Sequence, residues 1–118
     1  MDDGSGGPTG PLAISADGRF VAYGTYTSVV LYDRRLGEMT RYPQGGGVAM
    51  TPDARFIAWS DFHGHIQVLD RSTGAIQAGP YGHDLSISDD GSRIAFNSEA
   101  PLDRHDTNGL YDVYVWIR

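Results

Sequence analysis

Oxygen ligands gather in one segment near the end of the sequence, at spacings that suggest a metal site. Asp-x-Asn-Gly followed by a further Asp can form an oxygen cage for Ca²⁺, which takes about six to eight hard ligands. No Glu closes the segment, and Asn-Gly alone is a strong hairpin-turn signal. The segment therefore has two possible interpretations, a Ca²⁺ site and a simple hairpin turn. The candidate ligands are Asp103, Asp106, Asn108 and Asp112.

A histidine pair offers a second possible metal site. His63 and His65 are two residues apart, so on a strand they would face the same way and could share a transition metal. The alternative is a polar loop that runs into a strand at the surface. His83 and His105 lie at no diagnostic spacing from this pair.

The residue types argue against catalysis. The sequence has no cysteine, no G-x-S-x-G elbow and no Ser–His–Asp set in a recognisable context. The Gly45–Gly47 run lacks the Lys and the helix that a phosphate-binding loop requires, so it reads as a connection between elements. We expect no enzymatic activity, and no cofactor other than the possible Ca²⁺.

Charge and hydropathy exclude further classes. The net charge is −6, with 15 acidic residues against nine Lys and Arg, which disfavours nucleic-acid binding. No apolar run approaches the roughly 20 residues that span a bilayer, so no membrane contact is expected. Residues 1–11 are rich in Gly and Pro, which predicts a flexible segment, and they lack the pattern of a secretory signal. The cellular compartment is not indicated.

An internal repeat is the strongest signal, and it supplies the elements that position these residues. Each copy reads apolar, hydroxyl, turn, basic residue, then apolar–Ala–aromatic. The three copies start 36 and 37 residues apart, at Ile14, Met50 and Ile87. Asp17-Gly18 and Asp90-Gly91 predict tight turns, whereas Asp53-Ala54 predicts a turn that needs no left-handed residue or carries strain.

A second register completes the repeat unit. Val29–Gly37 matches Ile66–Gly74, and each is followed by a short β-prone run at Glu38–Tyr42 and Ala75–Ala78. Four short antiparallel strands in roughly 37 residues are typical of a β-propeller blade. We predict an all-β fold of about three four-stranded antiparallel blades, near residues 12–46, 47–83 and 84–118.

The motifs then resemble a known group. Ser15–Tyr23 and Ser88–Phe96 are similar to the repeat of TolB-like bacterial propellers, and the strand-Asp turns at Asp33 and Asp70 resemble the end of a WD-type repeat. Asp106–Val115 resembles a variant found in such propellers. The resemblance implies the fold, and it implies binding of proteins or peptides or a non-catalytic place beside a hydrolase.

Side chains that recur at the same position of each repeat have structural explanations in a β-propeller blade. Asp17, Asp53 and Asp90 are expected to cap turns, and Arg19, Arg55 and Arg93 to pair with acids. The aromatic residues at one repeat position are expected to pack between blades, with a sugar-binding platform as the alternative. They are Tyr23, Trp59 and Phe96.

The third unit departs from the pattern. It is longer between its second and third strands, and Ile117 stands where the other units have Asp33 and Asp70. The expected third strand, Val113–Ile117, has no outer strand after it, and apolar edges recruit other strands. Because propellers have about four to eight blades, we expect either two copies forming a six-bladed ring or completion by a different propeller chain.

Function is expected to lie in recognition. Loops on a rigid scaffold carry binding, and the loop within 97–111 departs from the repeat, with His105, Thr107 and Tyr111 as candidate contacts. A protein or peptide ligand is the leading hypothesis. The alternatives are a structural accessory module or fragment of a larger propeller protein such as an exported hydrolase, and a Ca²⁺-dependent or lectin-like binder.

Overall fold

A computed structural model describes residues 12–25, 28–43, 46–98 and 112–118. The described residues form eleven β-strands in three antiparallel sheets, and no helix is found among them. This confirms the predicted all-β class and its repeat of antiparallel sheets. Within those four ranges, no helix is long and apolar enough to cross a bilayer.

The three sheets follow one another along the chain, and we call each of them a blade. Blade 1 has the order β1 (Ala13–Ile14), β2 (Phe20–Gly24), β3 (Ser28–Asp33) and β4 (Glu38–Pro43). Blade 2 has the order β5 (Gly46–Met50), β6 (Phe56–Ser60), β7 (His65–Asp70) and β8 (Ala75–Tyr81). Blade 3 has the order β9 (His83–Ile87), β10 (Arg93–Ser98) and β11 (Asp112–Ile117). Blade 3 therefore has three strands among the described residues, as expected of a blade without an outer strand.

A hydroxyl–carboxylate pair shapes the first turn of each blade. In blade 1, the Ser15 hydroxyl donates to Asp17 Oδ1 at 2.7 Å, and the same oxygen accepts the Arg19 backbone N–H at 3.0 Å. The corresponding bonds recur in the other blades, where Asp53 and Asp90 take the place of Asp17. These three aspartates have the turn-capping role predicted from sequence.

The middle turn differs from its equivalents in one respect. Ala54 has φ +60°, in the left-handed region that Gly18 and Gly91 occupy in the other blades. The turn thus does demand a left-handed residue, and Ala54 carries the strain that such a φ imposes on an L-amino acid. Its methyl group is fully buried, and this packing offsets part of that cost.

Two apolar interfaces between the blades form the core. The first joint, between blades 1 and 2, buries Ala22, Val29 and Leu31 against Val48, Ile57, Trp59 and Leu69. The second joint, between blades 2 and 3, buries Ala58, Ile66 and Val68 against Ile94 and Phe96. Trp59 and Phe96 lie in the joints, as the sequence predicted for the repeated aromatic position. Tyr23 is also buried.

The strand register defines equivalent positions. Ala22 faces Leu31 in blade 1, Ala58 faces Val68 in blade 2, and Ala95 faces Val115 in blade 3. Side chains that face each other across an antiparallel pair lie on one side of the sheet. The third residue pair is therefore the counterpart of two pairs that the joints bury.

Candidate binding surface

The candidate loop residues fall mostly outside the part of the chain that the structure describes. Asp112 opens β11 opposite Ser98. The Ca²⁺ site and the loop contacts therefore stay predictions, and Ca²⁺ titration calorimetry tests the former. Among the described residues, no group of three or more His, Cys, Asp or Glu could hold a metal ion. Outside the described ranges lie Asp103, His105, Asp106, Thr107, Asn108 and Tyr111.

The histidine pair does not lie on one strand. His63 sits in the turn after β6, where its backbone N–H donates to Asp61 Oδ1 at 2.9 Å. His65 begins β7, its Nδ1 lies 3.2 Å from the Gly79 carbonyl oxygen, and its ring packs on Tyr81 at 4.0 Å between centroids. The two-apart spacing on a strand that motivated the metal hypothesis is therefore not present. His83 contacts Asp84 instead, with Nδ1 3.1 Å from Oδ2.

Paired charges link the first turn of a blade to the end of its third strand. Arg19 donates from Nε and Nη2 to both carboxylate oxygens of Asp33, at 2.9 and 2.8 Å. Arg55 does the same with Asp70, at 3.1 Å for each bond. The Arg19 hydrogen bond, helped by backbone N–H groups, lowers the pKa of Asp33 to about 2. The expected pairing of these two arginines with acids is confirmed.

Arg93, the third arginine of the predicted series, lies in a different register from Arg19 and Arg55. The pKa of the neighbouring acid Asp90 is lowered mainly by hydrogen bonds from Ser92, and the charge of Arg93 contributes. Arg93 lies opposite Ile117, as Phe20 lies opposite Asp33 in blade 1. Ser92 takes the position of Arg19, because its backbone N–H is the one that bonds the turn aspartate, Asp90. Blade 3 has therefore lost both partners of the ion pair, and an arginine stands where the other blades have phenylalanine.

That phenylalanine is the centre of an arrangement repeated at both joints. At the first joint, the Arg71 guanidinium carbon lies 4.3 Å from the ring centroid of Phe20. At the second joint, the guanidinium carbon of Arg118 lies 4.7 Å from the centroid of Phe56. Gly91 of blade 3 also packs on Phe56, since a Cβ at this glycine would collide with the ring. At each joint, an arginine of the following blade thus lies over the phenylalanine ring of the preceding blade.

Equivalent arginines are held in the same way in all three blades. Arg71 donates from Nη1 to the Ala54 carbonyl at 3.0 Å, and Arg118 donates from Nε to the Gly91 carbonyl at 2.7 Å. Arg34 of blade 1 makes the same type of bond, from Nη1 to the Gly18 carbonyl at 2.9 Å. Its position relative to its own blade matches that of the two joint arginines.

The outward side of blade 3 carries apolar side chains that no joint covers. Val113, Val115 and Ile117 are 74%, 58% and 67% exposed. In blade 2 the counterparts of Val113 and Val115 are Ile66 and Val68, which are 0% and 1% exposed at the second joint. We call this side of blade 3, with Arg93, Ala95, Val113, Val115 and Ile117, the open face. At Ala95, Val113 and Val115 it carries the kinds of apolar side chain that the joints bury, and exposed apolar patches of this kind often mark interaction sites.

The contact between arginine and phenylalanine across the joints was not predicted from the sequence, although the sequence carries a signal for it. A phenylalanine directly follows the turn arginine in Arg19-Phe20 and Arg55-Phe56. A second arginine directly follows the last position of the third strand, at Arg34, Arg71 and Arg118. The repeat alone would have aligned these positions. It would not have shown that the arginine of one blade reaches the ring of its neighbour.

Comparison with solved structures supports the fold. The chain is similar to the tricorn protease, with TM-score 0.65 and 17% identity over 89% of this chain and 12% of that one. It is also similar to the β-propeller domain of the Trilobed protease from Pyrococcus furiosus, described as having an open velcro topology, with TM-score 0.69 and 13% identity. That match covers 92% of this chain and 38% of the domain. No protein-family model and no curated protein matches the sequence. The chain has a β-propeller-like fold and spans well under half the length of either structure.

Proposed function

We propose that this chain is a non-catalytic propeller segment that works in protein or peptide recognition, and that it completes itself by docking a further propeller sheet on the open face. One observation carries the proposal: Val113 and Val115 are exposed at positions where blades 1 and 2 bury their residues in a joint. A sheet added there would bury the same kinds of side chain in the same register.

The apolar character of the open face explains why docking would be favourable. Burial of a valine or isoleucine side chain contributes roughly 1.5–3 kcal/mol, so three such residues supply several kcal/mol before the cost of association. The joints within the chain gain from the same type of burial. The partner sheet can come from a second copy, from another chain, or from a longer polypeptide that contains this segment.

The TolB-like and WD-like motifs support a recognition role, because the groups that they resemble are used mainly for binding. The same motifs fit the second candidate function, a structural module in a larger hydrolase. The observation that favours this candidate is the pair of structural neighbours, one a protease and the other the propeller domain of a protease, of which this chain spans 12% and 38%. In either case the segment acts by contact between surfaces.

Sedimentation velocity tests whether the open face docks a sheet, with the chain itself as the probe up to millimolar concentration. We expect weak, concentration-dependent association in the wild type and its loss in Val115→Glu, because a carboxylate would be buried against an apolar sheet. Phe62→Glu is the matched control. Phe62 is 63% exposed, as Val115 is 58%, but lies in the turn between β6 and β7.

The outcomes separate cleanly. Loss of association in Val115→Glu with retention in Phe62→Glu supports docking on the open face. Equal association of both variants would place the contact elsewhere and overturn the proposal. Absence of any association in the wild type up to millimolar concentration, and in variants that make the open face more complementary to a second copy, would also overturn it.

A further inference from the structure

The two joints within the chain follow one rule of chemical complementarity. The preceding blade offers a phenylalanine, Phe20 or Phe56, and the following blade offers an arginine, Arg71 or Arg118. Each arginine is already fixed to a turn carbonyl of its own blade, so the side chain is oriented before the joint forms. Because the guanidinium group is already held in place, its contact with the phenylalanine ring costs little additional side-chain entropy.

The open face breaks this rule. The register places Arg93 where blades 1 and 2 have Phe20 and Phe56, so the open face presents a cation where the joints present a ring. The residue opposite Arg93 is Ile117, whereas Asp33 and Asp70 stand opposite the two phenylalanines. Blade 3 therefore has no carboxylate opposite Arg93 across the strand pair, and the acid of its own blade that feels the charge of Arg93 is the turn residue Asp90.

A second copy of the chain fits this face poorly. Docked in the register of the joints, blade 1 of that copy would use the side that carries Tyr23 and Val30, and these two residues are already only 3% and 0% exposed within the chain. It would also bring Arg34 to the position that Arg71 and Arg118 hold. Arg34 is held by the Gly18 carbonyl in the same way as its equivalents, so its guanidinium would meet Arg93. Like charges brought together at an interface are repulsive, and the repulsion grows as water is excluded.

We infer that the open face accepts a sheet that is not a copy of this chain: a propeller sheet with an apolar face and a carboxylate at the position held by Arg71 and Arg118. Such a residue would pair with Arg93 while the apolar side chains of the partner cover Val113, Val115 and Ile117. This inference rests on the proposed docking function and specifies the partner by charge. Arg93 then acts as a selectivity residue that disfavours closure of a two-copy ring.

Charge substitutions at Arg93 test the inference without an identified partner. We expect the association constant of the chain with itself to rise in the order wild type, Arg93→Gln, Arg93→Glu. The last step places a carboxylate against Arg34 of the second copy, and the total gain should be roughly tenfold or more. In 1 M salt, where the screening length is about 3 Å, the advantage of Arg93→Glu over Arg93→Gln should shrink.

Two further variants control for altered folding and for contacts elsewhere. Arg93→Phe restores the ring that both joints use, so it should also strengthen association, and adding Arg34→Ala should reverse that gain. The double variant Arg93→Glu/Arg34→Glu brings two carboxylates together and should associate no better than the wild type. Far-ultraviolet circular dichroism and thermal melts show whether each variant keeps the wild-type fold.

The results distinguish this inference from the docking proposal beneath it. If the wild type associates as tightly as Arg93→Glu and Arg93→Phe, and Val115→Glu abolishes that association, docking on the open face stands and selectivity by Arg93 is refuted. If Arg93→Glu and Arg93→Phe both fail to associate, the inference and the docking proposal fall together. A gain in Arg93→Glu that the added Arg34→Glu removes supports the inference.

Discussion

Substitution of Arg71 by alanine gives the sharpest test of how the blades are joined, because the chain contains its own control. Arg71 and Arg34 occupy equivalent positions and each donates one hydrogen bond to a turn carbonyl, at 3.0 and 2.9 Å. Only Arg71 also lies over a ring, that of Phe20 in the preceding blade. The difference between Arg71→Ala and Arg34→Ala therefore isolates the contact across the first joint.

The expected magnitudes follow from these contacts. Loss of the hydrogen bond should cost each variant about 1 kcal/mol. Arg71→Ala loses in addition a cation–π contact of roughly 0.5–1 kcal/mol, the range for a solvent-exposed guanidinium. We expect Arg71→Ala to be the less stable variant by about that amount. At an m-value of about 2 kcal/mol/M in urea, this difference moves the unfolding midpoint by roughly 0.25–0.5 M.

Urea unfolding followed by tryptophan fluorescence measures the difference, since Trp59 lies in the first joint. A double-mutant cycle with Phe20→Leu then assigns it, because the excess cost of Arg71→Ala should disappear once the aromatic ring is gone. Equal costs for Arg71→Ala and Arg34→Ala, or a cycle with no coupling, would refute a stabilising role for the arginine–ring contact between the blades.

Two further predictions concern a tight contact and an ion pair. Gly91→Ala should destabilise the chain by about 1–3 kcal/mol more than Gly74→Ala, measured by urea unfolding. Both glycines have positive φ, but only a Cβ at Gly91 would meet the ring of Phe56, and equal costs would contradict this packing. The pKa of Asp33 is lowered to about 2 in the fold by Arg19, so the pair stabilises the fold above about pH 4. That contribution is lost as the pH falls towards 2. In Asp33→Asn the urea midpoint should therefore depend less on pH between about 4 and 2. A pH profile of the urea midpoint that matches the wild type would contradict a stabilising ion pair.

The sequence was informative about the fold because each blade repeats the same local chemistry. A hydroxyl residue two positions before an aspartate forms the turn bond at Ser15–Asp17 and Thr51–Asp53, independently of distant contacts. The departure of blade 3 from the repeat, which has three strands among the described residues, was likewise visible as the replacement of the terminal aspartate by Ile117. Local turn chemistry and strand periodicity act over few residues, which is why they can be read directly.

The open face was harder to predict, because it depends on relations between blades. The predicted pairing of Arg93 with an acid assumed that Arg93 is the equivalent of Arg19 and Arg55. A one-residue offset moves a side chain to the other side of a strand. The register shows that Arg93 lies on the open face. Likewise, the spacing of His63 and His65 suggested a shared metal only under the assumption that both lie on one strand.

The open face of blade 3 can be observed directly by methyl nuclear magnetic resonance with a soluble paramagnetic agent, at concentrations where the chain is monomeric. We expect strong relaxation enhancement for the methyl groups of Val113 and Val115. Little enhancement is expected for their counterparts Ile66 and Val68, which the second joint buries. Protection of Val113 and Val115 to the same degree as Ile66 and Val68 would show that this side of blade 3 is already covered, and would contradict its role as a docking surface.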